Sequence, residues 1–232
     1  MLFSAENTCQ AVILKRYKRF LADVQLDSQQ VVTAHVPNTG SMKGCWQAGQ
    51  RVLLTHHDNP KRKLKYTLEM TQNAQTWIGV NTARTNSLVA EALQLRQINE
   101  LKNYSNIKAE QKISAHTRID FLLSEGENQL ALEVKNVTLA DNQTALFPDA
   151  VTTRGQKHLR ELIEFRGQNK ESAILFAVQR NDVTSFAPAK EIDPQYAQLL
   201  QEAHKAGVKI LVYQWHVSPQ KIVLEKSLPF HL

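Results

Sequence analysis

The chain has 232 residues, of which 42% are hydrophobic and 22% are charged. This balance is typical of a soluble globular protein with a sizeable core. No apolar stretch is long enough to span a bilayer, and the N-terminal residues lack the succession of segments that makes a signal peptide. The two cysteines, Cys9 and Cys45, match no zinc-binding spacing. We therefore expect a cytoplasmic protein with free thiols and no membrane partner.

The net charge of +6 is concentrated in the first third of the chain. Residues 1–80 contain ten Lys/Arg and five Asp/Glu, whereas residues 81–232 contain eighteen and seventeen. A basic module beside a nearly neutral one indicates that the first module docks a polyanion such as DNA. A small basic domain without such a partner is the alternative.

Residues 10–80 have the texture of short β-strands. Five runs rich in β-branched, aromatic and leucine residues are separated by turn formers: AVILKRYKRFLADVQL, VVTAHV, RVLLTHH, LKYTLEM and TWIGVN. Five short strands in about eighty residues predict a small β-barrel, with an OB-fold as the leading candidate.

The pattern changes near residues 80–86. SLVAEALQLRQINELKNY predicts an amphipathic helix with Asn86 or Ser87 as its N-cap. The segments that follow predict the order α-β-β-α-β-α-β, a mixed α/β domain. The fold class is therefore α+β in two domains, residues 1–82 and residues 83–232.

A predicted hairpin at residues 118–139 carries charges in unusual positions. Alternation places Asp120 opposite the face of Ile119, Phe121 and Leu123, and it makes Glu133 and Lys135 project together from β-strand QLALEVKNV. A turn centred on Gly126-Glu127 would pair Asp120 directly with Glu133, with Cβ atoms about 4.5–5.5 Å apart.

Two carboxylates that close repel each other when both are ionised, and Mg²⁺ or Mn²⁺ relieves the repulsion. A water held there becomes acidic enough to attack a phosphodiester, and Lys135 could orient it or stabilise charge on the phosphate. The spacing predicts a metal-dependent phosphodiesterase site of Asp120, Glu133 and Lys135. A solvated hairpin face is the alternative.

Neighbouring segments offer further candidates. Glu91, on the preceding helix, is a candidate third metal ligand or else a solvent-facing acid. Thr152 or Thr153 can cap a helix whose first turns present Arg154, Lys157 and His158. A helix N-terminus and arginine both favour phosphate, so these three side chains predict a phosphate clamp, with His158 as an alternative general acid or base.

Two runs in the first domain interleave cations with aromatics, a combination that tracks a backbone and stacks on bases in OB-fold grooves. Either run could also be an ordinary solvated face. The candidate DNA-binding residues in them are Lys15, Arg16, Lys18, Arg19, Lys61, Arg62 and Lys63.

Several longer stretches resemble the sugar fermentation stimulation protein A family along nearly the whole chain: AHVPNTGSMKG, RKLKYT, TRIDFLL, LEVKNVTL, FPDAVTTRGQKHL and ILFAVQR. The resemblance implies an N-terminal OB-fold and a C-terminal domain of the PD-(D/E)xK nuclease superfamily. By this resemblance Asp120 and Glu133 are the metal carboxylates, Lys135 is the motif lysine and Glu91 is the helical acid.

The resemblance also implies non-specific DNA binding and a regulatory role in sugar (maltose) metabolism. The leading hypothesis is a DNA-binding protein with a Mg²⁺- or Mn²⁺-dependent nuclease-like site. The alternative is a non-catalytic DNA-binding regulator that keeps only the nuclease scaffold. A metabolic enzyme acting on sugars has no sugar-site pattern to support it. The oligomeric state stays open, with a homodimer among the options.

Overall fold

A computed structural model describes residues 1–112, 118–168 and 170–232 of the chain. Thr117, the first residue of the TRIDFLL stretch, lies outside the described residues. No described helix is long and apolar enough to cross a membrane.

The N-terminal region is a closed barrel. Its strands are β1 (Thr8–Tyr17), β2 (Leu21–Leu26), β3 (Val31–His35), β4 (Arg51–His56), β5 (Tyr66–Asn73) and β6 (Thr76–Gly79). They are ordered β3-β2-β1-β4-β5-β6, and β3 also pairs with β5, which closes a five-stranded barrel. Inward residues such as Ile13, Val24, Leu54 and Leu68 fill it. The predicted OB-fold is confirmed.

The first predicted strand is in fact two strands. AVILKRYKRFLADVQL is divided by a turn in which Lys18 and Arg19 have φ of 50° and 63°. Non-glycine residues in this left-handed region give no turn signal in a sequence, which is why the run was predicted to be continuous. Lys18 and Arg19 therefore lie in the loop between β1 and β2.

The C-terminal region is a mixed α/β domain. Its elements are α1 (Thr85–Gln94), β7 (Asn106–Lys112), β8 (Arg118–Glu125), β9 (Asn128–Val137), β10 (Leu139–Asp141), β11 (Thr144–Phe147), α2 (Thr153–Gly167), β12 (Glu171–Val178), β13 (Ser185–Pro188), α3 (Pro194–Lys205), β14 (Lys209–Ser218) and β15 (Lys221–Ser227). The main sheet runs β15-β14-β12-β9-β8-β7, with β9, β12 and β14 parallel. A small sheet runs β10-β11-β13.

Both faces of the main sheet are covered. Helix α1 and two barrel residues, Leu53 and Met70, share one hydrophobic cluster with residues of β8 and β9. Helices α2 and α3 pack with the cluster on the other face. The central strands are therefore buried on both sides, and the barrel lies against the α1 face.

The helix predicted from Ser87 onward is shorter than its periodicity suggests. Helix α1 ends at Gln94, and Arg96 has φ of 54°, so Leu95 is left exposed while Ile98 is buried through a following 3-10 turn. Its first residue is Thr85, so neither Asn86 nor Ser87 is the N-cap. Asn86 lies in the first turn, where its side chain is free to reach β8.

Candidate active site

The β8–β9 hairpin has the register expected from the sequence. Its ladder pairs Phe121 with Leu132 and ends with Glu125 opposite Asn128, around a turn in which Gly126 has φ of 57°. Continuing the ladder by one step places Asp120 opposite Glu133. Ile119, however, packs with the α2 cluster rather than with Phe121, because pairing with β9 stops before it.

Asp120 is held by both carboxylate oxygens. Its Oδ2 accepts the backbone N–H of Val134 at 2.7 Å, and its Oδ1 accepts the side-chain amide of Asn86 at 2.8 Å. Burial and then the charge of Glu133 raise the pKa of Asp120 above its ordinary value, against these hydrogen bonds and Lys135. A cation bound here would favour the ionised form of Asp120 and so oppose both effects.

Glu133 is nearly fully buried and lies between Lys135 and His158. Its Oε1 accepts a hydrogen bond from Lys135 Nζ at 2.5 Å and contacts His158 Nδ1. Burial alone would raise the pKa of Glu133, but the bonds and charges of His158 and Lys135 outweigh it and hold the pKa below its usual range. Two adjacent carboxylates thus have their pKa values moved in opposite directions, a pattern found at functional sites.

Helix α2 supplies basic side chains next to Asp120 and Glu133. Thr152 is its N-cap, accepting the N–H of Gly155 at 3.0 Å. Arg154 Nε donates to His158 Nε2 at 3.4 Å, and His158 Nδ1 lies 3.3 Å from Lys135 Nζ. Lys157 instead pairs with Glu161 at 3.4 Å along the helix. The structure therefore brings Arg154 and His158 to the carboxylates.

Glu91 lies elsewhere. It forms an ion pair with the amino group of Met1 at 2.8 Å, and its side chain is half exposed beside Leu95 and Trp215. Asn86, more than one turn earlier on α1, occupies the place beside Asp120. Asp120 and Glu133 thus meet without the third carboxylate expected from the sequence.

A cavity of about 430 Å³ opens next to these residues and is shared by both regions of the chain. Lys135, Asn136 and Arg154 line it from the C-terminal side, and barrel-loop residues Asn38 to Gly40 line it from the other. We call this candidate site the active-site cleft. A substrate bound there would contact the barrel and the charged cluster together.

Asp149 connects the two walls of the cleft. Its Oδ2 accepts hydrogen bonds from Ser41 Oγ at 3.1 Å and from Met42 N at 3.2 Å. A side-chain carbon at Gly40 would lie 2.6 Å from the same oxygen, so a larger residue there would have to displace the Asp149 side chain. Asp149 lies in the segment between β11 and α2, so it links that segment to the barrel loop.

Arg16 supports the same barrel loop from beneath. Its Nη2 donates to the carbonyl oxygens of Arg19 at 2.9 Å, Asn38 at 3.0 Å and Gly40 at 3.0 Å. Burial lowers the pKa of the Arg16 guanidinium. The structure therefore turns Arg16 toward backbone oxygens, whereas the sequence suggested a surface contact with DNA.

The other barrel cations lie at the surface. Lys15 pairs with Asp23 at 3.2 Å and lies over the ring of Tyr17. Lys18 and Arg19 are exposed in the β1–β2 turn, next to exposed Phe20. Lys61 and Lys63 are exposed in the β4–β5 loop, and Arg62 between them is partly buried.

A polar network missed by sequence reasoning supports the end of β9. Gln179 Nε2 donates to Asn136 Oδ1 at 2.5 Å and to Thr85 Oγ1 at 3.0 Å. Asn136 and Gln179 are polar residues at the ends of apolar strands, which was the available signal. The network joins α1, β9 and the end of β12 through Asn136, the residue that follows Lys135.

The donor set fits a hard divalent cation. Mg²⁺ typically takes one or two protein carboxylates and completes its shell with waters and substrate phosphates. Asp120 and Glu133 supply two such carboxylates, and across the described ranges no group of three or more His, Cys, Asp and Glu side chains is placed to hold a metal by itself. A divalent cation at this pair would need waters or other ligands to complete its shell.

The fold and the site together define a class: an OB barrel joined to a mixed α/β domain with paired carboxylates and a lysine. Residues 14–80 match the family described as SfsA N-terminal OB domain, and residues 83–221 match the sugar fermentation stimulation protein RE domain. The chain belongs to the sugar fermentation stimulation protein family.

Similar relatives support this membership over the full length. A sugar fermentation stimulation protein homolog of Geobacter sulfurreducens is 50% identical, covering 94% of this chain and 93% of the relative. A homolog of Geotalea uraniireducens is 48% identical over 94% of each. The solved structure of Pyrococcus furiosus SfsA in complex with Ca²⁺ has a TM-score of 0.90 at 25% identity, covering 100% of this chain and 99% of that one.

Proposed function

We propose that the chain binds DNA through its barrel and hydrolyses phosphodiesters, with Mg²⁺ or Mn²⁺, at a PD-(D/E)xK nuclease-like site. The observation that carries the proposal is that the carboxylates of Asp120 and Glu133 lie next to Lys135, which lines the cleft together with Arg154. The Ca²⁺ complex of the Pyrococcus relative adds support, because Ca²⁺ also prefers carboxylate oxygens.

Each residue has a role in the proposed chemistry. Asp120 and Glu133 would hold the cation, which when bound supplies Lewis-acid stabilisation of charge on the phosphate. Lys135, 2.5 Å from Glu133, donates hydrogen bonds to the attacking water or to the phosphate as its negative charge grows. Arg154 at the cleft wall holds a non-bridging phosphate oxygen. Asn86 and the Val134 N–H fix the orientation of Asp120.

DNA docking is supported by where the barrel carries its charge. In OB-folds the β1–β2 and β4–β5 loops contact oligonucleotides. These are the loops that present Lys18 and Arg19 with Phe20, and Lys61 and Lys63. Because cations of this kind contact phosphates rather than base edges, binding is expected to be largely independent of sequence.

The test is incubation of the purified protein with linear, supercoiled and single-stranded DNA, with and without Mg²⁺ or Mn²⁺. We expect metal-dependent cleavage that Asp120→Asn abolishes while DNA binding persists. Glu127→Gln, in the exposed turn of the same hairpin, is the matched control and should cut normally. If no DNA form is cut with either metal, the catalytic part of the proposal fails.

One observation favours a second function, a non-catalytic DNA-binding regulator. Glu133 is already paired with Lys135 and in contact with His158, as in a site whose polar contacts hold the scaffold together. Such a protein would bind DNA with the same affinity in the presence of a chelator and would leave every form intact. In either case we propose that the link to sugar (maltose) metabolism runs through DNA.

A further inference from the structure

A second cavity, of about 300 Å³, lies at the junction of the barrel and α1. Four basic side chains from separate segments line it: His35 at the end of β3, His57 after β4, Arg62 in the β4–β5 loop and Arg84 before α1. We call it the junction cavity.

Two of these side chains are positioned by one hydroxyl group. Thr67 Oγ1 lies 3.0 Å from His57 Nε2 and accepts a hydrogen bond from Arg62 Nη2 at 3.1 Å. The hydroxyl proton is then available to His57 Nε2, which leaves the other ring nitrogen as a donor. Thr67 therefore holds the His57 imidazole and the Arg62 guanidinium side by side. Among the described residues, His57 Nδ1 and Arg62 Nη1 have no hydrogen-bond partner.

The cavity has a surplus of positive charge. Glu69 is the one carboxylate among its described lining residues, and it is committed to other partners. It accepts hydrogen bonds from Arg84 at 3.0 and 3.2 Å and from Asn81 at 2.8 Å. Within the described ranges no carboxylate pairs with Arg62 in an ion pair. Arg62 donates only to uncharged oxygens there, those of Thr67 and Leu64, so among the described residues an anion would meet Arg62 and His57 without displacing a carboxylate.

The junction cavity lies beside the active-site cleft. Ser87 lines the cavity, and its chain neighbour Asn86 donates to Asp120. Pro37 lines the cavity while Asn38 lines the cleft, and Thr82 of the cleft wall donates to the carbonyl of Pro37 at 2.7 Å. A strand that leaves the cleft along α1 would pass this cavity before it reached the outer barrel loops.

We propose that the junction cavity is a phosphate subsite, in which Arg62 and His57 bind a backbone phosphate of the same DNA strand that occupies the active-site cleft. The assignment rests on the proposed DNA-binding function and adds to it a fixed path for the strand. In this subsite Arg62 would contact one defined phosphate, whereas the exposed lysines of the same loop would contact the DNA without a fixed geometry.

The first experiment uses inorganic phosphate as the probe and needs neither DNA nor a divalent metal. Burial, followed by the charge of Arg62, lowers the pKa of His57, with Arg84 and His56 acting in the same direction and Glu69 opposing them. Bound phosphate reverses this balance, because linkage is reciprocal. Titration of His57 by NMR in sodium phosphate should therefore shift upward by about one pH unit relative to chloride at equal ionic strength.

The variants are Arg62→Gln and a control, Lys190→Gln, which removes one positive charge from an exposed position outside the barrel and the cavity. Arg62→Gln should abolish the phosphate-induced shift and weaken binding of a fluorescent single-stranded oligonucleotide about tenfold. Lys190→Gln should keep the shift and weaken binding about twofold or less.

Two results would overturn the proposal: no response of His57 to phosphate, or equal losses of oligonucleotide affinity in the two variants. Because the phosphate titration involves no cleavage, a protein that cuts no DNA but shows the Arg62-dependent shift loses the nuclease function and keeps the subsite.

Discussion

The cations of the barrel loops and the charges under α2 have opposite surroundings. Lys18, Arg19, Lys61 and Lys63 are exposed to water, whereas Glu133 is 4% exposed and is held by Lys135 and His158. The contribution of exposed charges to binding depends on how many there are and is reduced by salt. A buried charge can have a large effect on its own, because its geometry is fixed and the local field is strong. The two regions should therefore respond differently to mutation, salt and pH.

The largest effect is expected from a single cation at the cleft, the partly exposed Lys135. Lys135→Met should reduce metal-dependent cleavage by about 10²–10³-fold, because it removes a positioned donor from the reacting phosphate, while DNA affinity changes by about twofold or less. Single-turnover cleavage and a binding titration measure the two quantities. Lys108→Met, on the exposed edge strand, is the control. Unchanged cleavage in Lys135→Met would remove Lys135 from the mechanism.

The barrel loops need several substitutions for a comparable effect. Neutralising four exposed cations should weaken DNA binding by about a hundredfold and reduce the salt slope by about 0.9 for each lost duplex phosphate contact: Lys18→Gln, Arg19→Gln, Lys61→Gln and Lys63→Gln. Fluorescence titrations at several salt concentrations provide the slope.

The control for the loop variant removes four exposed lysines outside the barrel: Lys190, Lys205, Lys221 and Lys226. If the two quadruple variants lose affinity and slope equally, the barrel is not the dock and the protein binds DNA by its overall charge.

Arg16 should contribute to the stability of the fold through its internal hydrogen bonds, although Lys15, Lys18 and Arg19 near it are exposed. Arg16→Gln should lower the free energy of unfolding by about 2 kcal/mol, since it removes hydrogen bonds from a charged donor to several carbonyls. Arg19→Gln should change it by about 0.5 kcal/mol or less. Urea denaturation measures both, and equal stabilities would contradict the inward placement of Arg16.

The smallest effect concerns pH. Protons compete with the cation for Asp120, whose pKa is raised, so Mn²⁺ affinity should start to fall at a higher pH than for an ordinary aspartate. Below that pKa the affinity should drop about tenfold per pH unit. Calorimetric titrations across the acidic range test this, with Glu127→Gln as a control of unchanged profile. An affinity that stays constant until the ordinary aspartate range would contradict the prediction.

Local patterns made much of the fold and half of the site predictable. Alternating residues and Gly126 determine the β8–β9 register, so Asp120, Glu133 and Lys135 could be placed from sequence. Clusters of short apolar runs likewise predicted the barrel. These features depend on neighbours in the chain, which a sequence displays directly.

The remainder depends on contacts between distant segments. Asn86 was interpreted as a helix cap and instead orients Asp120, because α1 begins one residue earlier and turns that side chain toward β8. Glu91 and Arg16 were assigned by charge, but their partners come from other parts of the chain. A sequence shows that a charge exists without showing which oxygen or nitrogen faces it.

The absence of a side chain at Gly40 lets one wall of the cleft lie directly against the Asp149 carboxylate of the other. A β-carbon at position 40 would lie 2.6 Å from Asp149 Oδ2, so Gly40→Ala should displace that carboxylate from Ser41 and Met42 without altering a charge. The substitution would therefore loosen the link between the barrel and the C-terminal domain while each keeps its own charges.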